Sequence, residues 1–128
     1  MKKAIFILFC LLSLGSNAQT IGDHFNYINE QKPGGEIKVN NGNYTYSYID
    51  PQTGSLWMYF FNVDLRCICI AISTSTTMEL NSFVRNLNEN WVAISDRVWN
   101  YYRNDGTILE MSIQVVEDVG QVFFIAEK

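Results

Sequence analysis

The sequence predicts an α+β fold: an antiparallel meander sheet with two helices packed on one face. Two amphipathic helical patterns alternate with runs of residues whose spacing is typical of strands. Tight-turn signals of the Asn-Gly and Asp-Gly type separate several of those runs. The predicted element order is α-β-β-β-β-α-β-β-β. Each half is therefore a helix followed by a meander, which allows a pseudo-symmetric pair of halves without internal sequence identity.

The first 18 residues have the layout of a cleavable secretory signal peptide. A pair of lysines precedes an uncharged apolar run over residues 4–14, and Ser16-Asn17-Ala18 offers small residues at the cleavage site. A membrane-spanning helix needs roughly 20 apolar residues, about twice this run. The sequence therefore predicts cleavage before Gln19, one small α+β domain over residues 19–128, and export to the periplasm or the medium. No cysteine follows the small residues, so no lipid anchor is expected.

Charge and composition exclude several classes of partner. Removal of the two leader lysines leaves seven basic against 13 acidic residues, a net charge of −6. Nucleic-acid binding depends on lysines and arginines that neutralise the phosphates, and anionic membranes likewise attract basic surfaces. Because the mature chain is acidic, neither partner is expected. No stable membrane span is predicted after signal cleavage. The apolar content of 48% indicates a folded chain.

Both helices have recognisable starts. The first is predicted over residues 20–30, with Thr20 as its cap and an apolar stripe at Ile21, Phe25 and Ile28. The second begins at the Thr76-x-x-Glu79 capping box. Its stripe consists of Leu80, Phe83, Val84, Leu87 and Trp91.

Seven strands are predicted around the second helix. Four precede it, at residues 36–40, 43–50, 56–63 and 66–73, and three follow it, at residues 97–103, 107–116 and 121–126. Asn41-Gly42 predicts a type I′ hairpin, and Asn104-Asp105-Gly106 predicts another tight hairpin.

No motif predicts catalysis, a cofactor or a metal site. The single histidine, His24, lies at the start of a short helix and is interpreted as structural. Cys67 and Cys69 are two apart in a strand, which puts both on one side but too far apart for a good disulfide. They are interpreted as small buried hydrophobes; an intermolecular disulfide and a metal site with His24 are the alternatives.

Aromatic and apolar residues on the strands are the best candidates for partner binding. Alternation puts Tyr44, Tyr46 and Tyr48 on one face, where they either cover the core or form an exposed platform. The strands at 56–63 and 66–73 are apolar on both faces. Their second face must be closed by sheet curvature, by a loop or by another chain.

The leading interpretation is an exported, non-catalytic module that binds a protein, itself or an extended ligand through an aromatic and apolar sheet face. The candidate partner-binding residues are Tyr44, Tyr46, Tyr48, Trp57 and Tyr59. The alternatives are a small secreted hydrolase, a hydrolase inhibitor, or a carrier of an apolar ligand. A carboxylate pair from distant positions would be needed for the hydrolase.

Overall fold

A computed structural model describes residues 20–128, so the predicted signal peptide lies outside the described residues. Two helices, α1 (Phe25–Gln31) and α2 (Thr77–Asn90), accompany eight strands within this range. The strands are β1 (Glu36–Asn40), β2 (Asn43–Ile49), β3 (Leu56–Phe61), β4 (Cys67–Ser73), β5 (Val92–Ala93), β6 (Val98–Tyr102), β7 (Ile108–Val116) and β8 (Gly120–Glu127). Neither helix is long and apolar enough to cross a membrane.

The strands form one antiparallel sheet in the order β1-β2-β3-β4-β8-β7-β6-β5. The prediction of an α+β fold with an antiparallel meander is therefore confirmed. The strand order is palindromic in the sense that the second half repeats the first in reverse. Two four-stranded meanders, each preceded by a helix, meet where the last strand of one, β4, pairs with the last strand of the other, β8. The two-residue β5, which follows α2 directly, was not predicted because so short a segment carries no periodic pattern.

The predicted hairpin turn between β1 and β2 is confirmed. Asn41 and Gly42 both have positive φ, 53° and 83°. Two consecutive positive φ values define the type I′ turn, whose twist matches that of paired strands. The turn fixes the β1–β2 register, in which Asn40 lies opposite Asn43.

The first helix begins five residues later than predicted. Gly22, with φ of 95°, diverts the backbone, and His24 caps α1 by accepting a hydrogen bond from the Asn26 N–H at Nδ1. The segment before the cap pairs with the start of β4: the Gly22 N–H donates to the Cys67 carbonyl over 2.7 Å, and the Cys67 N–H donates to the Asp23 carbonyl over 2.9 Å. Backbone pairing therefore replaces the predicted first turn.

The second helix begins as predicted. The Thr76 hydroxyl accepts a hydrogen bond from the Glu79 N–H over 3.1 Å, which is the expected cap. The helix ends at Asn90, and Trp91, predicted as the last residue of the stripe, is the C-cap. Trp91 is nevertheless 5% exposed and packs on the Tyr101 ring at 5.2 Å.

The sheet has two faces of different burial. One row of register partners, all at most 1% exposed, consists of Tyr46, Tyr59, Ile70, Ile125, Met111 and Trp99. We call this side the core face. Phe25 of α1 contacts the rings of Tyr46 and Phe61, and Phe83 of α2 contacts those of Trp57 and Phe123. The opposite side, which carries Met58, Phe60, Cys69, Ala71, Phe124 and Ala126, we call the outer face.

A β-bulge at the start of β4 corrects one prediction about the cysteines. The register shifts between Phe60 and Phe61, so that Phe60 lies opposite Cys69 and Phe61 lies opposite Cys67. Because Phe60 and Phe61 are on opposite faces, the bulge puts Cys67 in the core and Cys69 on the outer face. The prediction that both cysteines share one side is wrong, since simple alternation does not allow for the extra residue, Ile68.

Candidate functional site

The five sequence-predicted partner residues are neighbours on the core face. Tyr46 lies opposite Tyr59, and Tyr48 lies opposite Trp57. Tyr46, Tyr59 and Trp57 are 1%, 0% and 7% exposed, while Tyr44 and Tyr48 are half-buried and pack against the same cluster. This burial favours the core alternative for the tyrosine row, and it does not favour direct contact between these side chains and a partner.

Two of the buried tyrosine hydroxyls have opposite environments. The Tyr46 hydroxyl donates to the Lys32 carbonyl and accepts from the Gly35 N–H over 2.9 Å, which ties β2 to the loop after α1. A Cβ at Gly35 would lie 2.4 Å from the Tyr46 ring, so only glycine fits beside it. The Tyr59 hydroxyl is buried with no hydrogen-bonding partner among residues 20–128, and burial raises its pKa.

The same substitution at these two positions is expected to have opposite effects on stability. Tyr46→Phe should lower the free energy of unfolding by about 1–3 kcal/mol, because two backbone groups lose their partner. Tyr59→Phe should leave it unchanged or raise it, because it removes an unpaired buried hydroxyl. Equilibrium unfolding in urea measures both values. An equal decrease in the free energy of unfolding for the two variants would contradict the hydrogen-bond assignment.

The outer face has an apolar centre between polar margins. One row of register partners runs Ser47, Met58, Ala71, Phe124 and Ser112, and the next runs Thr45, Phe60, Cys69, Ala126 and Glu110. In both rows the polar residues belong to β2 and β7, and the apolar residues belong to β3, β4 and β8. Met58, Phe60 and Phe124 are half-buried, whereas their neighbours on the core face are fully buried.

A cleft of about 600 Å³ adjoins this apolar centre at the β1–β3 end of the sheet. Its lining residues are Pro33, Gly34, Glu36, Lys38, Ser47, Tyr48, Ile49, Pro51, Leu56 and Met58. Ile49 is 65% exposed, and Met58 is shared with the outer face. The cleft therefore extends the apolar surface towards the charged side chains of β1.

Lys32 lies beside the cleft. Its ammonium is 5.4 Å from the centre of the Tyr48 ring and 5.3 Å from that of Trp57, which are cation–π distances. Burial lowers the pKa of Lys32, and the nearby Asp50 carboxylate opposes that shift. The two rings and the cation therefore stabilise the α1–β1 loop against the sheet.

The thiols of Cys67 and Cys69 are free. Burial raises the pKa of Cys67 to about 12 and also raises that of Cys69. Both groups are therefore neutral thiols near neutral pH, and the thiolate is the form that reacts. Their placement agrees with the interpretation of Cys67 as a buried hydrophobe, while Cys69 contributes to the outer face.

The side chains that carry acid–base or metal chemistry are dispersed within the described residues. His24 is engaged as the cap of α1. Among residues 20–128, no group of three His, Cys, Asp or Glu side chains could hold a metal ion. No family model, no curated protein and no solved structure matches this chain.

Sequence reasoning found part of the outer face and missed part. The doubly apolar pattern of residues 56–63 and 66–73 put Met58 and Phe60 together on one apolar face, but the candidate partner residues on that strand, Trp57 and Tyr59, were taken from the other face. Phe124 was not singled out, although the Phe123-Phe124-Ile125-Ala126 run is likewise apolar on both faces. That apolar run was the sequence signal from which Phe124 could have been predicted. The pairing of β8 with β4 then completes the apolar centre of the outer face.

Proposed function

We propose that the protein is exported and works outside the cytoplasm as a binding module that holds a protein partner on the outer face of its sheet. In this proposal both helices cover the core face. The observation that carries it is the partly exposed apolar centre formed by Met58, Phe60 and Phe124. Contiguous apolar patches that stay accessible on a protein surface, especially with a polar rim, mark interaction sites.

The distribution of residue types supports a protein as the occupant. Protein interfaces have a desolvated apolar core and a polar rim. The outer face has this arrangement, with Thr45 and Ser47 at one margin and Glu110 and Ser112 at the other. The apolar centre spans three strands, about 10 Å between the axes of the outer two. A surface of this width suits an extended or helical segment of another chain.

The cleft beside the outer face supports a second candidate, a carrier. Its volume of about 600 Å³ lies within the usual range for small-ligand sites. Apolar side chains at Ile49, Leu56 and Met58 together with charges at Glu36 and Lys38 would suit an amphipathic molecule. Ligand sites of this class bury most of the ligand, whereas Ile49, Glu36 and Lys38 are exposed, and this favours the protein partner.

Site-specific photo-crosslinking tests the proposal. Benzoylphenylalanine replaces Phe124 or Phe60 in cells that export the protein, and it replaces Met78, which is 78% exposed on α2, in the control. Irradiation should link both outer-face positions, but not position 78, to the same discrete protein. Thermal melts of the purified variants check that each remains folded.

The other outcomes decide between the candidates. The absence of any adduct from the outer-face positions, or the same adducts from position 78, would contradict a protein-binding role for this face. A small molecule retained by the purified chain in native mass spectrometry, without a protein adduct, would favour the carrier. The intact mass of protein recovered outside the cytoplasm tests export separately, because it should begin at Gln19.

Once a partner is purified, Met58→Ser should weaken its binding by about 1–3 kcal/mol.

A further inference from the structure

Strand β1 forms one edge of the sheet and leaves part of its backbone unpaired. Asn40 and Asn43 close the two-residue turn as a hydrogen-bonded pair, so pairing with β2 alternates along β1. The N–H and C=O groups of Ile37 and Val39 therefore point away from β2. Within the described residues, no other strand pairs with this edge.

The aliphatic side chains of the same two residues are exposed. Ile37 is 52% exposed and Val39 is 62% exposed. Ile37 borders an apolar cavity of about 130 Å³, whose other lining residues are Phe25, Tyr44, Thr45, Phe61 and Leu65. An edge strand with free backbone groups and exposed apolar side chains is a template for pairing with another chain.

The charged residues on either side of Ile37 indicate which partner chain fits the β1 edge. Glu36 and Lys38 flank Ile37, project from the opposite side of β1 and are both exposed. We infer that a second copy of this chain pairs antiparallel with β1, centred on Ile37, and joins two eight-stranded sheets into one. In this register Glu36 of each copy lies opposite Lys38 of the other, so that two complementary charge pairs form about the symmetry axis.

The neighbouring register is disfavoured by the same charges. An antiparallel pair centred on Lys38 would bring two lysines directly opposite each other, and like charges in that position are destabilising. In the register centred on Ile37, the two Ile37 residues exchange both backbone hydrogen bonds, since their polar groups already point outward. Two-fold symmetric contacts of this kind are the commonest form of association between identical chains.

Charge exchange at two exposed positions tests the interface. Purified mature protein, residues 19–128, should sediment as a monomer–dimer equilibrium that weakens with added salt. Glu36→Lys and Lys38→Glu should each weaken self-association by about tenfold or more, because each turns two attractive pairs into repulsive ones. An equimolar mixture of the two variants should dimerise again, since every opposed pair is then complementary. The double variant should also regain the dimer.

Three results would overturn the inference. The first is wild-type protein that stays monomeric at the highest soluble concentration. The second is a dimer that either single variant leaves intact. The third is a dimer abolished by Phe124→Ser but not by the charge variants, which would assign the second copy to the outer face. Thermal melts of both charge variants should match wild type at concentrations where wild type is monomeric, because dimerisation itself raises the melting temperature.

Discussion

Replacement of Phe123 by alanine is expected to lower the free energy of unfolding by about 3–5 kcal/mol, the range for a large aromatic residue removed from a packed core. Phe123 is 0% exposed and lies in the middle of the core face, opposite Ile72 on β4 and Ile113 on β7. Its ring centre is 4.6 Å from that of Phe83, so it also connects the sheet to α2. Equilibrium denaturation in urea measures the loss.

The adjacent phenylalanine is the matched control. Phe124 is the next residue in the same strand but lies half-buried on the outer face. We expect Phe124→Ala to cost only about 1 kcal/mol, a typical value for a substitution that leaves no core cavity. Equal losses at the two positions would mean that the outer face is packed as tightly as the core face. That result would remove the observation on which the proposed function rests.

Leu87→Ala is expected to cost about 2–5 kcal/mol. Leu87 is 0% exposed, occupies the middle of the α2 stripe and belongs to the core cluster. Loss of its isopropyl group leaves a cavity between α2 and the sheet. The adjacent Asn88 side chain accepts a hydrogen bond from the Trp99 indole N–H over 2.8 Å, which holds the helix in place and limits collapse.

The control for Leu87 is Met78, on the opposite, exposed face of the same helix. Met78 is 78% exposed, so Met78→Ala should change the free energy of unfolding by less than about 0.5 kcal/mol. Both values come from denaturant unfolding followed by far-ultraviolet circular dichroism. A cost below about 0.5 kcal/mol for Leu87→Ala as well would show that the α2 stripe is not packed against the sheet.

Local signals in the sequence predicted much of the fold. The Asn41-Gly42 turn and the Thr76 cap are each specified by a few neighbouring residues, and both form as expected. Contacts between distant residues were not accessible in the same way. The late start of α1 depends on pairing with the start of β4, and the bulge at Cys67 depends on the β3 partner. The periodic pattern of one segment contains no information about which distant strand it pairs with, so it predicts neither the late helix start nor the bulge.

The candidate site shows a related limit. Alternation correctly predicted that Tyr44, Tyr46 and Tyr48 share a face, but it does not state which face of a sheet is covered. That depends on where the helices pack, as shown by the contact of Phe25 with Tyr46. The doubly apolar strands predicted a second apolar face that needs a cover, and Phe124 joins that face only through the β4–β8 pairing.

The palindromic strand order has a consequence for how the chain folds. Every strand pair except one joins sequence neighbours and closes a short loop, whereas β4 and β8 are 49 residues apart where Ser73 meets Val122. Loop-closure entropy makes this the slowest pairing to form. Until it forms, the two half-sheets expose their most apolar edges, Cys67–Ser73 and Gly120–Glu127. Aggregation during refolding should therefore originate at this central seam, and it should increase with protein concentration.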